Sequence, residues 1–238
     1  MLTGYGPTAA RKDDRPGRET RLRTTTIDIH SHVSVPAAAV IVEPYLDVST
    51  IPLAFFSTPE TKAVNAQQDE DRRSRMSGRG GGLTERLRDL DDMGIDVQVV
   101  MPPPAQCYYT VPIEISVKAT QVVNNGIGEY VARTPDRFVA LGSVPMTDGR
   151  EAATELERGM RQLGLKGAQV LTNVAGRELS DPAFAPFWAK AEELGALVVI
   201  HPNGFTEGQR LTLATRNPRY PHIAAFLECP NHHHQKLE

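Results

Sequence analysis

The strongest chemical signal in the chain is a pair of imidazoles on one short segment, Ile27-Asp28-Ile29-His30-Ser31-His32. Side chains alternate faces along a strand, so His30 and His32 point the same way, roughly 7 Å apart. Two imidazoles so placed suit a divalent metal such as zinc. A third candidate, His201, closes the apolar run Leu197-Val198-Val199-Ile200 and is followed by Pro202. Proline cannot donate to a ladder, so it stops the strand at the histidine. If both segments belong to one parallel sheet, His30, His32 and His201 can meet at its carboxyl edge. Asp28, two residues before His30, either orients an imidazole or caps a neighbouring loop, and both readings stay open.

The elements that must position these residues follow a repeat of amphipathic helix, glycine and apolar strand. The first copy runs from Leu83 to Met93, through Gly94, to Ile95–Met101; Leu83, Leu87 and Leu90 form its stripe. Gly94 suits a left-handed helix cap. The second runs from Glu151 to Leu163, through Gly164, to Leu165–Leu171, with Ala152, Leu156, Met160 and Leu163 as the stripe. The third runs from Pro182 to Leu194, through Gly195, to Ala196–His201; Asp181-Pro182 supplies an N-cap and a first helical residue. Between the first two copies, Pro112 to Arg133 reads as a helix with Ile113, Val117, Ile127 and Val131 inward, leading into a strand over Phe138 to Val144. Five strands result, near 25–32, 95–101, 138–144, 165–171 and 197–201. Alternation of this kind implies a parallel α/β sheet covered by helices. The continuous apolar run Leu197 to Ile200 fits burial on both faces. An eight-stranded barrel and an open doubly wound sheet are both compatible. No GxGxxG fingerprint follows the first strand, which weighs against a dinucleotide site.

Composition narrows the class. The chain has 238 residues, enough for one large domain or a small pair, and 40% are hydrophobic, so a sizeable core can be buried. A net charge of -3 and a pI near 6.2 give no reason to expect a nucleic-acid partner. Cys107 and Cys229 are far apart and in no CxxC pair, as in a reduced cytoplasmic protein. No apolar run is long enough for a membrane span. The first residues, to about Arg23, are polar and mildly basic and lack the apolar centre of a secretory signal, so 1–23 reads as a loose tail.

Residues 33–82 read as an irregular insertion after the histidine strand, either a substrate-covering loop or disordered chain. Gly78 to Gly82 reads as a linker. Met101-Pro102-Pro103-Pro104 ends a strand on the histidine edge, and Gln106, Tyr108 and Tyr109 are candidates to line a pocket there. Asn124 and Asn125 either bond loops above the sheet or face solvent. Arg86 and Arg88 read as a solvated helix face. His232-His233-His234 reads as a terminal tail outside the site.

These segments together resemble the amidohydrolase superfamily, in the amidohydrolase-related branch of aminocarboxymuconate-semialdehyde and resorcylate decarboxylases. The resemblance is carried in order by Asp28-Ile29-His30-Ser31-His32, the stretch from Arg86 to Val99 and Pro135-Asp136-Arg137-Phe138. It continues through Leu163-Gly164-Leu165-Lys166-Gly167, Gly176-Arg177-Glu178-Leu179-Ser180-Asp181-Pro182 and His201-Pro202, about residues 25 to 210 in all. It implies a (β/α)8 barrel of the metal-dependent hydrolase type. By position it implies one divalent metal, most often Zn2+ with Mn2+ as alternative, held by His30, His32 and His201. The activity implied is non-oxidative decarboxylation of an unsaturated or aromatic carboxylate, or metal-assisted hydrolysis.

The family pattern also includes a histidine on a later strand and an aspartate near the last one. No aspartate occurs after Asp181, and Tyr220-Pro221-His222 is not the expected histidine-glycine segment. No catalytic residue beyond the metal ligands is therefore assigned. The reading expected is an incomplete barrel of about five βα units over 24–210, with 211–238 as a divergent tail of a truncated product. Open sheet edges would call for a partner, a further copy of the chain among the choices. The alternative is a non-catalytic remnant that at most binds metal.

Overall fold

The computed structural model describes residues 25–47, 63, 66–67 and 81–202. The expected tails, 1–23 and 211–238, most of the 33–82 insertion, His222 and His232–His234 lie outside the described residues.

Strands β1 (Ile27–His32), β2 (Val97–Met101) and β3 (Phe138–Ala140) form a parallel ladder in that order. Strands β4 (Gly167–Leu171) and, after a small antiparallel ribbon of β5 (Asn173–Val174) and β6 (Arg177–Glu178), β7 (Leu197–His201) form a second parallel pair. The two pieces are joined where the chain leaves β3. Gly142 bridges Ala168 in parallel, donating to Gly167 O and accepting from Gln169 N. The spatial order β1-β2-β3-β4-β7 therefore follows the chain with no reversal. A doubly wound sheet reverses at its switch point, so the described strands take the barrel alternative.

The sheet also curves. In a flat sheet four inter-strand steps would separate β1 from β7 by roughly 19 Å, further than two imidazoles reach end to end. Yet His30 Nε2 and His201 Nε2 lie 3.0 Å apart.

Helices cover one face. They are α1 (Pro36–Val42), α2 (Gly81–Met93), α3 (Ile113–Ala132), α4 (Gly149–Leu163) and α5 (Ala185–Leu194). Val100 and Ala140 pack under Ala38, Leu83, Leu90, Val123 and Ile127. Ala168 and Val170 pack under Ala152, Leu156, Phe187 and Ala191. On the opposite, inner face Val99, Met101 and Leu141 meet Val139 and Val199 in a separate small cluster.

Several expectations shift. Residues 33–47 are not irregular: Pro36 starts α1, where its fixed φ is pre-organised and its missing N–H is no loss, and Ala38 and Val42 are fully buried. The glycine linker is partly helix, since α2 begins at Gly81. The stripe of α3 is polar in part: Ser116, Ala119, Thr120, Val123, Asn124 and Ile127 are buried, whereas Ile113, Val117 and Val131 are only half-buried. Asp181-Pro182 opens a 3-10 turn, Pro182–Phe184, and α5 follows it. Strand β7 is not buried on both faces. Leu197 and Ile200 are 49% and 52% exposed, as are Ile27 (46%) and Ile29 (69%) on β1, while β2 and β4 are buried throughout. Among the described residues β1 and β7 are paired on one side only, so half of each is uncovered.

Gly94, Gly164 and Gly195, which close the helices of the repeat, all have positive φ, as expected at a left-handed cap. Gly167 is more constrained: it opens β4 at φ 148, and a Cβ there would overlap the Leu197 carbonyl of β7. Gly164→Ala, with open space around it, should cost about 1–2 kcal/mol in urea unfolding from the left-handed backbone alone. Gly167→Ala should cost more, because it forces β4 and β7 apart; equal costs would sink the close approach.

Candidate metal centre

The carboxyl ends of β1 and β7 bring His30, His32 and His201 together. One ring nitrogen of each lies within 4.8 Å of the others, and ring centroids are 5.1, 5.0 and 5.2 Å apart. His32 pairs with Met101 of the inner cluster, and His201 follows Val199 by two residues on the same face. The group is thus on the inner side of the curved sheet. His30 is exposed; His32 and His201 are half-buried.

The route to that arrangement is not the plain alternation expected for β1. Between Asp28 and Ser31 the register slips: Asp28 opposes Gln98, but Ser31 opposes Val100. Three residue steps on β1 match two on β2, a β-bulge, which bends a strand and re-aims its side chains. Asp28 therefore does not orient an imidazole. It accepts from Gln98 Nε2 at 2.6 Å and from the His30 backbone N at 3.1 Å.

Backbone carbonyls fix two of the rings. A carbonyl only accepts, so the nitrogen facing it carries the proton. His32 Nδ1 donates to Pro102 O at 3.1 Å and His201 Nδ1 to Pro202 O at 2.7 Å. In the neutral ring this tautomer leaves Nε2 as the free donor, the atom a metal requires. Burial, together with the neighbouring His201 and His30 rings, holds the His32 pKa below its usual value, which favours the neutral ring. Metal–nitrogen bonds of about 2.0–2.1 Å put adjacent ligand nitrogens about 3.0–3.4 Å apart. The His30–His201 contact of 3.0 Å fits that edge. The donor set fits a divalent metal.

Beneath the rings, Pro102 O is shared. Gln169, fully buried on β4, donates to it at 3.0 Å through Nε2, which also lies 3.5 Å from Cys107 Sγ. Sequence reasoning missed Gln98 and Gln169; the signal that could have found them is a polar interruption of an apolar strand, where a buried amide must find partners. Arg86 was misjudged. It completes the helical set Leu83-Arg86-Leu87-Leu90 and is half-buried, bonding Gln98 Oε1 at 2.7 Å. Arg88 is exposed, as expected.

The other candidates are structural. Gln106 brackets Val35, accepting from its N at 3.0 Å and donating to its O at 2.8 Å. Tyr108 belongs to the helix-side core and Tyr109 to the core beside β4, so neither lines the histidine group. Asn124, buried, accepts from Ser143 N and donates to Ser143 O and Glu155 Oε1. Asn125 is exposed and accepts from Arg158.

A parallel α/β sheet of barrel order with an imidazole group at its carboxyl edge defines the metal-dependent barrel class. Within that class the chain belongs to the amidohydrolase family, whose model matches residues 27–229. It is 36% identical over 117 residues to 2-amino-3-carboxymuconate-6-semialdehyde decarboxylase of Dictyostelium discoideum, covering 49% of this chain and 33% of the relative. It is 32% identical over 130 residues to gamma-resorcylate decarboxylase of Rhizobium radiobacter, covering 49% and 38%. The matches thus span little more than a third of these relatives' length. Among solved structures, 5-carboxyvanillate decarboxylase of Novosphingobium aromaticivorans, complexed with manganese and 4-hydroxy-3-methoxy-5-nitrobenzoic acid, superposes with a TM-score of 0.62 at 21% identity, over 86% of this chain and 55% of that one. Dihydroxybenzoic acid decarboxylase of Polaromonas sp. JS666, with manganese and 2-nitroresorcinol, gives 0.58 at 19%, over 85% and 55%. The fold is therefore that of the amidohydrolase barrel in part. No helix among the described residues is long and apolar enough to cross a membrane.

Cys107 offers a check on the packing below the site. It is fully buried, and burial pushes its thiol up to about 11. Peptide mapping after alkylation at pH 8 should find Cys107 unlabelled in folded protein and labelled in denaturant. An unfolded thiol ionises near 8.5, so the unfolded chain binds fewer protons above that pH. Cys107 should then lower stability progressively as pH rises from about 8.5 toward 11; Cys107→Ala removes that component.

Proposed function

We propose that the chain is the metal-binding part of a non-oxidative decarboxylase acting on an aromatic or unsaturated carboxylate. The observation that carries this reading is the convergence of His30, His32 and His201 from β1 and β7 within 4.8 Å. The names of the relatives support the reaction: a semialdehyde decarboxylase and gamma-resorcylate decarboxylases. The histidines do not by themselves separate decarboxylation from hydrolysis.

In this reading His30, His32 and His201 each present one nitrogen to a divalent ion. Manganese is supported by the solved neighbours; zinc is supported by the all-imidazole donor set, which leaves a fourth position open. Such an ion, when bound, would supply Lewis-acid polarisation of a substrate oxygen. The chain's own residues set the donors. Pro102 O and Pro202 O hold the His32 and His201 tautomers, Gln169 braces Pro102, and the bulge in β1 aims His30. The proton-transfer group is not among the three histidines. The proposed barrel part, 24–210, would place the remaining machinery beyond it.

Metal content decides the first half of the proposal. Chelator-washed protein reloaded with Zn2+ or Mn2+ should hold about one ion per chain, and the His30→Ala/His201→Ala variant should lose it. Equal binding by the variant would place the metal elsewhere, His232–His234 included. The second half is read by loss of ultraviolet absorbance of gamma-resorcylate or 5-carboxyvanillate with metal-loaded protein. Metal bound at the three histidines with no turnover of these or related carboxylates would leave a binding fragment and overturn the enzyme reading for this chain.

A further inference from the structure

The bulge in β1 needs something to hold it, because a bulge interrupts the ladder that would otherwise fix the strand. Val97 N and Met101 O both bond toward β1, so Val99 between them faces β1 as well. There the Ser31 hydroxyl donates to Val99 O at 2.8 Å. Arg86, reaching over from α2, then closes the defect from outside. Its Nη2 donates to Ser31 Oγ at 2.8 Å and its Nη1 to His32 O at 3.1 Å. Its Nε donates to Gln98 Oε1 at 2.7 Å, and the Gln98 amide donates in turn to Asp28. The guanidinium lies 5.8 Å from the centroid of the buried Phe138 ring.

One fork thus contacts β1 on both sides of the slip, at Ser31 and His32 directly and at Asp28 through Gln98. His30 lies inside the slip, and His32 follows Ser31, the residue at which regular pairing resumes. We infer that Arg86 is a positioning residue for the metal centre: it clamps the bulged segment so that His30 and His32 face His201. The inference rests on the proposed metal site, since Arg86 itself touches no imidazole nitrogen. Lysine cannot replace it, because an ammonium on a flexible stem lacks the planar fork that meets three acceptors at once.

The test uses the whole 238-residue chain with Co2+ or Zn2+ as the probe. Arg86→Ala should weaken metal binding about 10–100-fold, the usual effect of removing a group that orients ligands, and should change the visible spectrum of the Co2+ form. Added guanidinium should restore part of the affinity, whereas Arg86→Lys should not match the parent. Arg88→Ala, on the same helix but exposed, should leave affinity unchanged. Should Arg86→Ala lose its near-ultraviolet circular dichroism, Ser31→Ala removes one acceptor with little loss of packing and should still weaken binding several-fold.

Folded Arg86→Ala and Ser31→Ala proteins with parental affinity and spectrum would overturn the inference. If the parent chain itself takes up no metal, the metal reading fails. The clamp is then read from the ring 15N shifts of His30 and His32 in metal-free protein, which Arg86→Ala must move for the inference to stand.

Discussion

Everything at the candidate site depends on curvature of the parallel ladder. Five strands in sequential order would put the first and fifth too far apart for any side chain to bridge, were the sheet flat. The inner cluster of Val99, Met101, Leu141 and Val199 lets the sheet bend around a narrow core. The helix-side clusters under α1 to α5 hold that bend from outside. The meeting of His30 and His201 at 3.0 Å is the result. A local change in a ligand strand alters the site directly. A change in how β3 joins β4, where Gly142 bridges Ala168 and Lys166 N donates to Ala140 O, would move one half of the site against the other.

The uncovered faces of β1 and β7 follow from the same geometry. A closed barrel leaves no edge, and of the strands flanked here on both sides β2 and β4 are buried throughout and β3 at all but Val139. The strands flanked on one side among the described residues keep Ile27, Leu197 and Ile200 close to half exposed and Ile29 more so. The two that supply all three histidines are therefore also the two with the least packing. Compensation comes from side chains: Arg86, Ser31 and Gln98 around β1, and the Leu171–His201 register against β4 for β7.

The sequence carried the site further than it carried the wiring behind it. The HxH segment, the strand-end His201 and the helix-glycine-strand repeat were all legible, because periodicity and punctuation report on local backbone and on which residue types can do chemistry. The asymmetric burial of β7 was not, since Leu197 to Ile200 reads the same whether a strand is central or at an edge. The β1 bulge was not legible either: nothing in Ile27-Asp28-Ile29-His30-Ser31-His32 announces where its register against β2 slips. Of the two readings open for Asp28, orienting an imidazole fails, because the side chain turns to Gln98.

Arg86 shows where the boundary of legibility lies. Its position in the set Leu83-Arg86-Leu87-Leu90 places it on the buried stripe of α2, and an arginine on such a stripe needs acceptors. Its charge alone suits a solvated face, but its place on the buried stripe demands a partner. The partners it found are a hydroxyl, a backbone carbonyl and an amide rather than a carboxylate. An Arg–carboxylate pair would tie two side chains together. This fork ties a helix to the backbone of a strand at its one irregular point, and the metal-binding geometry proposed for His30 and His32 is downstream of that tie.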